Sequence, residues 1–264
     1  MPLALPLVLL LGGEACPAEA PPANANAFVR GLVGAQRRGE DALSRYAYDV
    51  TDVRERLDKE GRAQRREIRQ YEVFYVRGRP VRRLVARDNR ALAGRDRERE
   101  DRRVEQLVAA IRQGRAVTET PGVRLSRILE RYDFTARGGE VREGRCSLVF
   151  DFAARPGDAD LKRDNLLQRL SGRLWVDEDE HAVARLEARN TSGLRFAFGL
   201  GASVSMLSFA MAFTHMEDGV WLPRRLETYA EGRRILFRRF RWRRTSTYSN
   251  YRRFEVDVQE AIRP

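Results

Sequence analysis

The sequence predicts an α+β protein, one large antiparallel sheet carrying a few short helices, and three observations predict it. Cys146, Leu148, Phe150 and Phe152 alternate with Ser147, Val149, Asp151 and Ala153, the period-2 signature of a strand with one wholly apolar face. After Gly172 the chain reads as strands to its end, joined by links of hairpin length at Glu178-Asp179-Glu180, Glu217-Asp218-Gly219 and Glu231-Gly232. Helical spacing is confined to a few segments in the first two thirds of the chain. Short links between many strands favour antiparallel pairing over parallel crossovers.

Taken in order, Asn24 can cap a helix running to Ser44, with Phe28, Leu32 and Val33 one turn apart. Tyr46–Leu57, Arg66–Val76 and Val81–Ala86 follow as a meander, turned at Lys59-Glu60-Gly61 and Arg77-Gly78-Arg79-Pro80. Gly94–Arg103 alternates charge and leads into Val104, Leu107, Val108 and Ile111 at helical spacing before Gly114, a helix with a solvated start. Pro121–Arg131 is a second helical segment through Val123, Ile128 and Leu129. Pro156-Gly157 stops the Cys146 strand, and Asp158 or Asp160 can cap a helix through Leu161, Leu166, Leu167 and Leu170, with Gly172 at its C′ position. The remaining strands are expected near Arg173–Val176, Ala182–Arg189, Leu194–Leu200, Val204–His215, Val220–Tyr229, Arg234–Arg243 and Tyr251–Val258.

Composition narrows the function. The 264 residues are 42% hydrophobic and 33% charged, enough apolar content for one core. Beyond the N-terminus Arg, Asp or Glu interrupts every apolar run well short of the roughly 20 residues of a membrane-spanning helix. Two cysteines and two histidines leave little material for a metal centre or for imidazole acid–base work, so neither metal nor cofactor is expected. The net charge of +12 and the pI near 10.5 would suit an acidic partner. Arginine replaces lysine almost everywhere, however, which is compositional bias as much as selection for phosphate, and no nucleic acid is expected as a partner.

Residues 1–27 read as a secretory signal and its cleavage region, and 28–264 as a single domain. Met1–Leu11 is an apolar run of signal-sequence length, followed by Gly12, Gly13 and an Ala- and Pro-rich stretch with small residues spaced for cleavage up to Ala27. Cys16 offers an outer-membrane lipid anchor as the alternative, although Gly13-Glu14-Ala15 departs from the usual lipobox. Either way Cys146 is expected to lack an intramolecular disulfide partner and to behave as a small buried hydrophobe.

Two segments of the C-terminal sheet bear on function. In Val204–Phe213, Leu207, Phe209, Met211 and Phe213 face one way and Ser208, Ala210 and Ala212 the other, so neither face is solvated in the ordinary manner. Such a strand is either core beneath a helix or the wall of an apolar cavity. Further on, Arg238, Arg239, Arg241 and Arg243 alternate with Phe237, Phe240 and Trp242. Aromatic-inward, arginine-outward alternation accounts for this, and an anionic surface would find the outward row ready-made. Catalytic signatures are missing: the sequence has no Gly-x-Ser-x-Gly, Walker A, Gly-x-Gly-x-x-Gly or His-Glu-x-x-His. His181 and His215 fall at a turn and a strand end, and no catalytic residue is assigned.

The segment Ser171–Arg189 (SGRLWVDEDEHAVARLEAR) resembles a "G-x-(I/L)-W-(I/V)-D … (I/V)-x-R-L-E" stretch of exported proteins similar to the outer-membrane lipoprotein-sorting (LolA/LolB-like) superfamily. Gly219–Pro223 (GVWLP) and Tyr248–Phe254 (YSNYRRF) resemble later stretches in the same group. The resemblance implies a large curved antiparallel sheet, an incomplete β-barrel, with helices packed in its open side. It also implies a periplasmic protein that holds lipid or lipoprotein acyl chains between sheet and helices. The expected lining is Phe150, Phe152, Leu207, Phe209, Met211 and Phe213, with the helices near Val104–Ile111, Val123–Leu129 and Leu161–Leu170 as plug or lid and the protein a monomer. The alternative is a non-catalytic cell-envelope binding or scaffold protein that docks an anionic surface or an envelope protein partner through the Arg238–Arg243 row.

Overall fold

The computed structural model describes residues 16, 22–115, 124–158, 166–196, 202–234 and 238–254. Among these residues twelve strands form one antiparallel sheet: β1 (Tyr46–Leu57), β2 (Ala63–Val76), β3 (Arg79–Arg87), β4 (Arg90–Ala91), β5 (Tyr132–Arg142), β6 (Arg145–Ala154), β7 (Leu170–Asp177), β8 (Ala182–Asn190), β9 (Leu194–Phe196), β10 (Ala202–His215), β11 (Trp221–Arg234) and β12 (Arg238–Arg253). The spatial order is β4-β3-β2-β1-β12-β11-β10-β8-β7-β6-β5, with the short β9 beside β10. Thus β5 to β12 run as one meander, and the last strand returns to pair with the first. The sheet is curved and does not close, as the α+β incomplete barrel requires.

Among the described residues four α-helices accompany it: α1 (Ala25–Gly31), α2 (Val33–Ala42), α3 (Gly94–Arg112) and α4 (Leu125–Arg131). The helix expected over Asn24–Ser44 is broken at Leu32 into α1 and α2. The Asn24 side chain caps α1 by accepting from the Ala27 amide at 2.9 Å. Glu40 on α2 accepts from both the amide and the hydroxyl of Ser126, at 2.9 and 2.8 Å, and so ties α2 to the start of α4.

Val29, Ile128 and Leu129 from α1 and α4 pack with Phe150, Phe152, Leu174 and Leu186 into the main core, which covers β5 to β8 on one face. On the same face at the other end, Tyr46, Tyr48, Val50, Val73 and Leu222 form a second cluster. Helix α3 departs from the lid expectation. Its Val104 and Ile111 pack on Phe74, Val76 and Val81, and Phe74 and Val76 alternate along β2 with Val73 and Tyr75 of the tyrosine cluster. Helix α3 therefore covers the opposite face of the sheet, where Glu100 also accepts from the Leu84 amide at 2.7 Å. Residues 116–123 and 159–165, which include the first half of the Leu161–Leu170 segment, lie outside the described residues, and in its second half Leu167–Arg169 form a single 3-10 turn and Leu170 begins β7.

Three further differences have physical causes. Strand β5 lies where no element was expected, since its glycines 138 and 139 and its charged Arg137, Glu140 and Arg142 mask the inward Tyr132 and Phe134. Strand β12 is one 16-residue element where two strands were expected, its arginines lying along β1 and β11 without interrupting the ladder. Gly172 is not a helix cap. It sits inside β7 opposite Ala188, and a Cβ built there would lie 1.8 Å from the Glu187 carbonyl oxygen, so glycine is required by close backbone approach.

Candidate functional site

Strand β10 crosses the helix-bearing face between the two clusters. Its pairing with β11 places Phe209 opposite Thr228 and Met211 opposite Leu226, and those two residues face Arg244 and Ser246 of β12 in turn. Phe209 and Phe213 are half-buried against the main core. Leu207 and Met211, also half-buried, belong to neither cluster. Phe150 and Phe152 lie deeper, 0% and 3% exposed, with Phe150 stacked on Phe28 of α1 at 5.6 Å and Phe152 edge-on to Tyr132. Of the six residues expected as cavity lining, two are thus floor beneath the helices and four form a partly open apolar row along β10.

Beyond that row the face turns polar. Asp52, 7% exposed, accepts from Ser246 Oγ on one oxygen and from Arg244 and Arg82 on the other, Arg82 at 3.0 Å. Burial alone would raise this carboxyl, yet the hydrogen bonds from Arg244 and Ser246 and the two positive charges outweigh it and hold the group below the ordinary aspartate range. Arg82 stacks over the Tyr71 ring at 4.3 Å. Around these groups is a cavity of about 220 Å³ bordered by Asp52, Arg54, Glu67, Arg69, Arg82 and Arg244. No sequence signal found this site: its members come from four strands, and Asp52 and Arg244 are 192 residues apart.

The opposite face bears a broader cavity of about 620 Å³. Its floor is small residues, among them Ser171, Gly172, Ser208 and Ala210, and its walls include Asp151, Arg173, Glu187 and Arg243. Those walls are mutually neutralised. Asp151 accepts from Arg137 at 2.6 Å and Arg173 at 2.9 Å, and these contacts overcome the raising effect of partial burial and lower its pKa. Nearby, Trp175 donates to Glu140 at 2.8 Å, and the guanidinium of Arg142 lies 4.9 Å from its ring.

The arginine row on β12 is only partly available. Arg241 forks onto Glu231 and also donates to the carbonyls of Asp58 and Lys59, and Arg243 pairs with Glu55 at 2.8 Å. Arg239 is exposed, and the side chain of Arg238 lies outside the described residues. The backbone register sets Arg233 opposite Arg239 and Arg234 opposite Arg238 at one end of the β11–β12 pair.

Cys146 departs from its expectation as an isolated buried thiol. It is half-buried and contacts Cys16, and a hydrogen bond that its protonated thiol makes with that neighbour, together with desolvation, pushes its pKa up to about 11. Ligand atoms of Cys16, Cys146 and Glu178 lie within 4.8 Å of one another. His181 occupies a left-handed turn position at φ 48° and meets Phe28 edge-on at 5.6 Å, and His215 lies 5.5 Å from the Trp221 ring. No helix among the described residues is long and apolar enough to cross a membrane.

No protein-family model matches the sequence, and no curated protein matches it. Among solved structures the chain is similar to a domain assigned to outer membrane lipoprotein sorting from Vibrio parahaemolyticus, at 9% identity over 90% of this chain and 95% of that one, with a TM-score of 0.40. It is also similar to a DUF1329 family protein from Desulfovibrio piger, at 11% identity over 90% of this chain and 96% of that one, with a TM-score of 0.39.

Proposed function

We propose that this protein is exported to the periplasm, where its single domain carries acyl chains non-catalytically. The observation that supports this most is the β10 row. Leu207, Phe209, Met211 and Phe213 stay half-buried on the face where α1 and α4 already cover the neighbouring strands, with Phe150 and Phe152 as floor. The soft side chain of Met211 beside Phe209 and Phe213 adapts to flexible chains, and burial contributes about 0.8 kcal/mol per methylene. The N-terminal signal-like run and the Ser171–Arg189 resemblance agree with export and with lipid or lipoprotein cargo. Mass spectrometry of an organic extract, taken from mature protein isolated gently from a bacterial periplasm, tests the reading. Near-stoichiometric phospholipid or acylated peptide is expected, lost in a folded Phe209→Asp variant. A clean extract with no uptake of lipid offered afterwards refutes it.

One observation favours a second reading, a non-catalytic envelope binding protein. The Arg233–Arg239 pair sets like charges directly opposite each other, an arrangement that an anionic partner would relieve. Such docking weakens steeply as salt rises, whereas acyl-chain retention hardly moves.

A further inference from the structure

We infer that the cavity among Arg54, Arg69, Arg82 and Arg244 is a binding site for a phosphate-type oxyanion. The register builds it on one face: Arg54 is opposite Arg244 on β12 and Glu67 on β2, while Asp52 is opposite Ser246 and Arg69. Four guanidinium groups there meet two carboxylates, Asp52 and Glu67. Glu67 is taken up by Arg69 at 2.6 Å. Asp52 is shared by Arg82 and Arg244, whose Nη2 atoms converge on a single oxygen. Arg54 makes no ion pair among the described residues and is exposed at the border of the cavity.

The arrangement is short of acceptors. The Nε groups of Arg82 and Arg244 are buried without a hydrogen-bond partner, which native interiors seldom leave. Asp52 and its three donors fix the two guanidiniums in place, so their remaining N–H groups are pre-oriented. A tetrahedral oxyanion supplies several acceptor oxygens and the negative charge the cluster lacks, and arginine forks match that geometry. About 220 Å³ accommodates one such group. The site stands on these residues and not on the acyl-chain reading. Its position does make a phospholipid headgroup one source of the phosphate, since only β11 separates Arg244 on β12 from Phe209 on β10.

Calorimetric titration of the full chain with inorganic phosphate, and separately with a soluble short-chain phosphatidylglycerol, tests the inference. Wild type is expected to saturate with at least one of them in the millimolar range or below. Arg244→Lys, which keeps a charge beside Asp52 but removes the fork, is expected to weaken binding about tenfold. Arg54→Gln touches no carboxylate, so it leaves the thermal midpoint unchanged while weakening binding severalfold. Saturation by both ligands marks a site for phosphate itself, and saturation by the lipid alone marks a headgroup seat. Phe209→Asp is expected to spare phosphate binding, so failure of the acyl-chain reading would not resemble failure of this one. The inference is overturned if neither ligand saturates the folded wild type, or if folded Arg54→Gln and Arg244→Lys both bind as tightly as wild type.

Discussion

Under α1 and α4, Phe150, Leu174, Val176 and Leu186 fill one half of the helix-bearing face mainly with hydrocarbon, whereas the other half holds Tyr46, Tyr48, Tyr248 and Tyr251 around Val50 and a buried Asp52 between two arginines. In the first half the buried side chains pack on one another, and the Tyr132 hydroxyl among them already donates to the Leu167 carbonyl. In the second, hydroxyl and guanidinium groups each need a partner, and burial pushes the Tyr48 and Tyr251 hydroxyls to higher pKa, while burial and then the hydrogen bond to Asp218 raise Tyr46 to about 12. The contrast separates a packed core from a hydrogen-bonded core that retains spare donors. A ligand can add acceptors to the second and little to the first.

The comparison breaks first, if it is wrong, on a pair of truncations. Phe150→Ala, at a fully buried position, is expected to cost about 3–5 kcal/mol in urea unfolding, and Tyr48→Phe less than about 1.5 kcal/mol, because the hydroxyl it removes has only a 3.5 Å contact with Tyr75. Equal losses would mean that the two halves are packed alike. Gly172→Ala is next, on the order of 3 kcal/mol, because the strand must separate from Glu187 to admit a methyl group. A variant that unfolds like wild type would show that the approach of β8 to Gly172 does not exclude a methyl group.

Asp52→Asn sharpens the comparison through pH. The folded carboxyl binds its proton more weakly than the unfolded one, so its contribution is complete above the unfolded pKa near 4 and disappears as pH falls through the lower folded value. The substitution is expected to cost about 2 kcal/mol at pH 7, less than for a fully buried pair, since the Arg82 and Arg244 side chains are 37% and 31% exposed. The variant should also lose part of the acid sensitivity of wild type. A stability profile with the same acid slope in both proteins would remove Asp52 from the account. The smallest effect belongs to α3, where Arg102→Ala breaks an exposed 3.9 Å pair with Glu98 and should change stability by less than about 0.5 kcal/mol.

The legible parts of the fold were those where one strand or helix carries its own periodicity. Cys146–Ala153 alternates cleanly and is β6, and Val204–His215 reads at nearly its observed bounds because turn residues mark its end. Strand β5 was hidden because its partner β6 supplies the order that its glycines and charges conceal, and the arginine-rich β12 was split for a similar reason. Local sequence also could not say which face α3 would take. An amphipathic stripe states that a helix must bury something, and Phe74 and Val81 are identified as that partner only once β2 and β3 are paired.

By itself, then, the sequence determined the α+β class, the antiparallel sheet and the apolar row of β10, because each follows from spacing along a few consecutive residues. The tertiary structure decided that Phe150 and Phe152 are floor beneath α1 and α4, that Gly172 is a point of close strand approach, and that Asp52, Arg82 and Arg244 meet. Those outcomes depend on strand order and register, which bring together residues from distant parts of the chain that no local pattern connects.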